Sequence, residues 1–264
     1  IRVLHPQSFC DDPTRLFRAV RYETRYNFQL APETLALIPP ALPLVERLTA
    51  ERIRHEFDLV FLETHSAKAL ARMDELGLLQ AVLPDVLPWD AHIADRLVSG
   101  LAALPAPGWG LALTFNGQPL NLVLGYALWL GNLHHAQIDL LHERLNFPLA
   151  VLKTIQAVSA LTVDLPALKD ARPSAWARRL AEVPLPALYA VSFSSREPAL
   201  QRYVTTWRHI HPTADGETLK ALGLPPGPRY AQILATLRAA WLDGEVQTLE
   251  QESDLLQKLI QEKG

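Results

Sequence analysis

Apolar residues recur along this chain at helical rather than strand spacing. Ile53, Phe57, Val60 and Phe61 repeat at i, i+4, i+7 and i+8, with Thr49 placed to cap their helix. Ile93, Leu97, Leu101 and Leu104 repeat every three or four positions. The pattern predicts a helix over 12–26, and Pro32 opens a short one with Leu35, Leu37 and Ile38 buried. Ser66 caps another helix that holds Leu70 and Met73 and closes at Leu76-Gly77. Further helices are expected over 120–132, 135–145, 148–162, 173–183, 185–193, 197–209, 228–242 and 247–262. The 21 prolines act mainly as punctuation, with breaks at Pro39, Pro40 and Pro43 and boundaries at Pro166 and Pro173. Residues 105–119 read as a long loop. No alternating run is long enough for a substantial sheet, although 2–4 reads as a residual N-terminal strand. The fold class expected is all-α.

Composition narrows the picture. A chain of 264 residues, 49% hydrophobic, can bury a sizeable core. The apolar stretch 120–133 is broken by Asn121, Gly125, Gly131 and Asn132, short of the roughly 20 residues a membrane span needs. No membrane partner is expected. The single cysteine, Cys10, allows no internal disulfide, which fits a reducing, cytoplasmic setting. The first residue is Ile1 and the one methionine is Met73, so a fragment or a processed piece is expected. The net charge of −3 argues against indiscriminate polyanion binding, so any RNA contact must come from local patches.

One such patch follows Cys10. The run Asp11-Asp12-Pro13-Thr14-Arg15 opens the first helix, and Arg18, Arg21 and Arg25 continue at helical spacing. Asp12 and Arg15, three apart, would stand side by side on one helical face. A carboxylate beside a guanidinium can read a nucleobase edge. Cytosine and adenine present an amino donor next to a ring-nitrogen acceptor, matching Asp12 and Arg15 respectively. Uracil and the corresponding edge of guanine offer the reverse pattern, with unpaired groups as the cost. The plain alternative is a helix start in which one aspartate caps free amides, Pro13 sits in the first turn and Arg15 is a surface partner. The plain alternative for the arginine row is a solvated face paired with Glu23 and other acids.

The stretch from Ile1 to Phe28, with this acidic-acidic-x-x-Arg motif, resembles the junction of catalytic head and helical neck in class II tRNA nucleotidyltransferases. These are the CCA-adding enzymes and their A-adding and poly(A) polymerase relatives. Thr49-Ala50-Glu51-Arg52-Ile53-Arg54-His55-Glu56 resembles the family's next motif, which braces the template helix. Leu222-Gly223-Leu224-Pro225-Pro226-Gly227-Pro228 and Leu242-Asp243-Gly244-Glu245-Val246 are similar to the tail, with Tyr230 where a Gly is common. The resemblance implies a template for the incoming nucleotide made by Asp12 and Arg15. It gives Arg18 and Arg21 a supporting or nucleotide-touching role, with Asp11, Glu51 and Arg52 in support. It implies a neck over 1–88, a helical body over 89–165 and an RNA-binding tail over 166–264. ATP or CTP would be substrates and a tRNA or other RNA 3′ end the acceptor. No Asp-x-Asp pair and no Gly-Ser turn occurs here, so the resemblance puts the Mg2+-holding carboxylates in a head outside these residues. The isolated chain is then expected to be inactive. The rival expectation is a noncatalytic helical RNA-binding or interaction module.

Other chemistry is weaker. His135, Asp139 and His142 share a helix face but are expected to be surface polar residues. No His-Asp dipeptide of a phosphohydrolase occurs. Cys10 is expected to be a small buried spacer.

Overall fold

The computed structural model describes residues 1–104 and 106–261, and within them the chain forms two compact units. The first holds 1–163 and 184–196. Its helices begin with α1 (Ser8–Asp11), α2 (Thr14–Arg25), α3 (Pro32–Leu35) and α4 (Ile38–Ala41). A 3-10 turn, Leu42–Arg47, leads to α5 (Ala50–Phe61), α6 (Ser66–Glu75) and α7 (Leu78–Val82). Then come α8 (Ala91–Ala102), a two-stranded hairpin of β1 (Thr114–Phe115) and β2 (Gln118–Pro119), and α9 (Leu120–Leu130). α10 (His135–Leu145) and α11 (Leu149–Leu168) follow, and the unit boundary falls inside α11.

The second unit holds 164–183 and 197–264, as far as described. It contains α12 (Pro173–Leu180); α13 (Leu185–Ser195) returns to the first unit. α14 (Pro198–Thr205), α15 (Gly216–Ala221), α16 (Pro228–Leu242) and α17 (Leu249–Gln261) complete it. The segments expected as neck and body therefore share one compact unit, and 184–196 of the expected tail joins them. In the second unit Leu219, Leu224, Ile233, Leu237 and Leu256 form a core. Buried Glu252 accepts from the amides of Thr213 and Ala214 and from the Trp241 indole, which ties α17 to the loop before α15. Tyr230, at the common Gly position, donates its hydroxyl to the Leu224 carbonyl at 2.7 Å.

The aromatic side chains of α5 and α9 fix the first core. Phe57 meets Phe17 edge-on at 5.8 Å and Trp129 at 5.3 Å, and Phe61 meets Tyr126 at 4.7 Å. Gly125 permits that approach, because a Cβ there would lie 2.2 Å from the Phe61 ring. α5 thereby holds α2 on one side and α9 on the other.

Several expectations change. Residues 2–4 form no strand; the Ala31 amide donates to the Ile1 carbonyl and the Val3 amide to Thr34 Oγ1, outside any ladder. Pro39, Pro40 and Pro43 sit in the first turns of α4 and the 3-10 helix, where a missing N–H costs nothing. Pro166 lies inside α11 rather than at a boundary. The loop over 106–119 contains a hairpin whose turn is Asn116-Gly117, both at positive φ, the dipeptide that a two-residue turn favours. α15 was not expected, although Asp215 and Thr218 make a reciprocal capping box for it. α11 is long and apolar enough to cross a membrane by length and composition, unlike any stretch singled out above. Its residues Val151, Ile155, Val158 and Leu161 are buried, while only 33% of its apolar window is. Of the helix expected over 247–262, residue 262 and, of the loop, residue 105 lie outside the described residues.

Candidate nucleotide-template site

Asp12 stands between α1 and α2 in extended backbone, φ −147° and ψ 97°, and is not itself helical. Pro13 turns the chain, and Asp12 Oδ1 accepts from the Thr14 amide at 3.1 Å and the Thr14 hydroxyl at 2.7 Å. Asp12 is therefore the capping aspartate, in the sense of satisfying a free amide at the helix start. Asp11 ends α1 and faces His5 at 3.7 Å. The helical side-by-side pairing expected of Asp12 and Arg15 is corrected: the cap pulls Asp12 off the helical path.

The guanidinium that touches Asp12 belongs to Arg52 of α5, whose Nη2 donates to Oδ1 at 2.7 Å. Burial pushes the Asp12 carboxyl upward, but the Thr14 hydroxyl and amide and the Arg52 charge outweigh it and hold the group below 3.8. Asp12 is thus a fixed acceptor at neutral pH. Arg15, exposed on the first turn of α2, donates through Nη1 to the carbonyl and hydroxyl of Ser8 in α1, at 3.1 and 3.0 Å. That leaves the rest of its fork open to solvent. The start of α2 therefore presents one acceptor and two guanidiniums, each pinned at one atom by a neighbouring element.

Arg18 and Arg21 separate in role. Arg18 is half-exposed and reaches Glu56 of α5 at 3.2 Å. Arg21 is 7% exposed, with Glu63 at 2.9 Å and Glu56 at 3.7 Å. Burial lowers the Arg21 pKa, yet the bond and charge of Glu63 and the charge of Glu56 raise it overall. Burial pushes Glu56 the other way, toward its neutral form, against Arg21 and Arg18. We take both as ionised, because two guanidiniums face Glu56 and arginine does not deprotonate. Of the two roles the resemblance offers Arg21, supporting or touching the nucleotide, its burial fits the first: the side chain braces α2 against α5 and the turn after it. The four-arginine stripe becomes Arg15, Arg18 and Arg25 on the exposed face, and Glu23, thought to pair with that face, is buried against Arg72 at 2.9 Å.

Glu51 and Arg54 dock α5 on α10. Glu51 accepts from Asn146 Nδ2 at 3.2 Å, and Arg54 donates to the carbonyls of Leu145 and Asn146. Arg144 donates to the carbonyls of Val45, Leu48 and Val82. Sequence reasoning missed Ser8 and Glu63 as partners. Thr14 carried a signal, since Asp-x-Thr is a self-capping pattern, and Glu56 lay four residues after Arg52 inside the quoted motif. Cys10 is exposed rather than buried, because α1 turns it outward. His135 faces Asp139 at 3.7 Å on the surface of α10, while His142 stacks on Phe147. No group of three or more His, Cys, Asp or Glu among the described residues is arranged to hold a metal ion.

Comparison with known proteins places this geometry. Residues 27–90 match a family model described as "Probable RNA and SrmB- binding site of polymerase A". The A-adding tRNA nucleotidyltransferase of Geobacter sulfurreducens is 31% identical over 98% of this chain and 31% of its own length. That of Halalkalibacterium halodurans is 27% identical over 97% of this chain and 58% of its own. The fold resembles the Thermotoga maritima CCA-adding enzyme complexed with tRNA, with TM-score 0.76, 20% identity, and 98% of this chain against 63% of that one. A CCA-adding enzyme with CTP gives TM-score 0.77 at 20% identity, covering 99% and 63%. The fold is thus that of the helical part of an RNA 3′-end nucleotidyltransferase. The chain belongs to the tRNA nucleotidyltransferase and poly(A) polymerase family, and it spans about a third to two thirds of the relatives it matches.

Proposed function

We propose that this chain is the base-selecting and RNA-holding portion of an enzyme that adds AMP, or CMP and AMP, to a tRNA 3′ end. Asp12 accepts from the base amine, and Arg15 donates to the ring nitrogen beside it. Arg52 holds Asp12 in place, Arg18 supports the same helix, and the remaining helices hold the acceptor arm through phosphate contacts and shape. The single observation that carries this is the helix start itself: an ionised Asp12 and an open Arg15, each anchored through one atom and both reachable from solvent. The similarity of 98% and 97% of this chain to parts of two A-adding relatives supports it. Transfer releases pyrophosphate, and Mg2+ would neutralise charge on the reacting oxygens. The residues described here do not form a site for that ion, so no step through it is derived from them. The activity is assigned to the cytoplasm, where a lone Cys10 stays reduced.

The test joins this chain to a family catalytic head and assays addition from each of the four nucleoside triphosphates. Asp12→Ala is expected to reduce the preference for ATP and CTP over GTP and UTP by roughly tenfold or more. Unchanged selection, with only ~1 kcal/mol lost from the helix cap, would leave Asp12 a structural residue.

A further inference from the structure

The exposed positions of α2 are Arg15, Arg18, Tyr22 and Arg25, spaced three, four and three residues apart on one face. No carboxylate of α2 itself stands among them, since Glu23 is buried. From α5 and the turn after it, Glu56 meets Arg18 at 3.2 Å and Glu63 meets Arg25 at 3.6 Å, and both arginines stay half-exposed. The stripe continues past the helix. Tyr26 is 52% exposed and Phe28 58% exposed, large values for such side chains beside a packed core. The rings are ordered: Tyr22 lies 6.1 Å from Tyr26, and Tyr26 stacks on Phe28 at 5.5 Å and 30°. Arg21 lies 4.9 Å from the Tyr22 ring centre and Arg25 5.3 Å from that of Tyr26.

The fold builds this platform from below. Asn27 takes the left-handed conformation, φ 52°, and the Phe28 amide returns to the Glu23 carbonyl at 2.9 Å, closing α2 with a Schellman turn. That turn brings Phe28 back against Tyr26. Glu23 then accepts from the Leu30 amide and from Arg72, which locks the turn to α6. Lys68 of α6 donates to Asn27 Oδ1 at 3.1 Å and adds a third cation near the rings, after Arg21 and Arg25. Rigid aromatic faces interleaved with arginines, open to water, suit unpaired nucleobases on a polyanionic backbone better than an apolar protein face. The length fits as well. Ten residues of helix from Arg15 to Arg25 rise about 15 Å, the span of about four stacked nucleotides.

We propose that Tyr22, Tyr26 and Phe28 form a stacking platform for unpaired bases of single-stranded RNA, fed along the Arg15–Arg18–Arg25 face of α2. The platform rests on the functional reading above for its ligand class; its three rings are separate from the base-reading pair, although Arg15 of that pair also lies on the feeding face.

The test measures binding of the chain to a labelled oligocytidylate of about eight nucleotides and to an abasic strand of equal length, by fluorescence anisotropy. Tyr26→Ala and Phe28→Ala are each expected to weaken binding to the intact RNA by about tenfold. Tyr26→Trp retains it. The abasic strand binds more weakly and does not distinguish the Ala variants from the parent. Ultraviolet cross-linking of the unaltered chain should mark the peptide containing Tyr22, Tyr26 and Phe28, which removes dependence on how the variants fold. Affinities within twofold of the parent, equal losses on both strands, or cross-links confined to other peptides overturn the proposal. So does self-association through the rings, seen as dimer formation that Tyr26→Ala abolishes while RNA affinity stays. If the platform fails while Asp12→Ala still relaxes base choice, this inference falls alone. If base choice ignores Asp12 while Tyr26 still governs RNA affinity, the functional reading falls alone.

Discussion

Two acid–arginine groups lie on the same two helices, and they differ in almost everything but chemistry. At the start of α2, Asp12 meets Arg52 at 2.7 Å, with half of the Arg52 side chain exposed. Two turns later Arg21 meets Glu63 and Glu56 with 8% of its side chain exposed. Water screens the first pair, so it adds little to stability and leaves its atoms available to a ligand. The second group is desolvated, so each member depends on the others and none is available. Glu56 Oε2 and Arg21 Nε even lack hydrogen-bond partners, a sign of a charge cluster held by its surroundings rather than by ideal geometry. Sequence spacing put Arg15, Arg18, Arg21 and Arg25 in one row; burial sets Arg21 apart as a brace and leaves the other three exposed.

Breaking the buried group should give the largest effect. Arg21→Ala strands Glu56 and Glu63 with only the half-exposed Arg18 and Arg25 nearby. A loss of about 3–5 kcal/mol is expected in urea unfolding. A loss below 1 kcal/mol would mean that the cluster relaxes toward water and that the division drawn here is too sharp. At the exposed end the outcome reverses. Asp12→Asn keeps a side-chain oxygen for the Thr14 amide, so stability should fall by only a few tenths of a kcal/mol. The amide now offers a donor as well as an acceptor. In the head-fused enzyme the preference for amine-bearing bases should relax, while the urea midpoint hardly moves. If selection and stability fell together, Asp12 would be acting through the fold.

The longer helices of both units were legible in the sequence: α10 and α16 occupy the expected ranges to the residue. Apart from α3, which Pro32 opens as expected, short elements were not legible. α1, α4 and α7 are four or five residues long and exist because tertiary neighbours complete them, so local pattern carries little trace of them. The hairpin was readable in principle from Asn116-Gly117 but is only two residues deep. For the site, residue types pointed to Arg15 and Arg18, which lie exposed or half-exposed on one face of α2, and to Asp12, which stands beside its start. They could not say that Arg52, forty residues away, takes the place beside Asp12. Nor could they say that Arg21 turns inward, because its partner Glu63 lies beyond any local spacing rule. The Tyr22–Tyr26–Phe28 stack depends on the left-handed Asn27, a conformation that spacing does not reveal.

The smallest effect expected concerns Arg52 and acid. The folded Asp12 carboxyl is held below 3.8, so its contribution to stability is complete above that value. It is lost only as pH falls through the lowered folded value. The hydroxyl and amide of Thr14 carry more of that lowering than Arg52 does, in keeping with an exposed guanidinium. Arg52→Ala should therefore raise the Asp12 midpoint, followed by carboxyl carbon chemical shift. Stability at neutral pH should change by no more than about 1 kcal/mol. A midpoint that did not move would mean that the Arg52 contact is not populated in solution. Asp12 would then be positioned by its own cap alone, and Arg52 would be free to meet the phosphates of a bound nucleotide directly. That outcome would leave the contrast with the buried cluster intact but reassign the second guanidinium from holding the acceptor to holding the ligand.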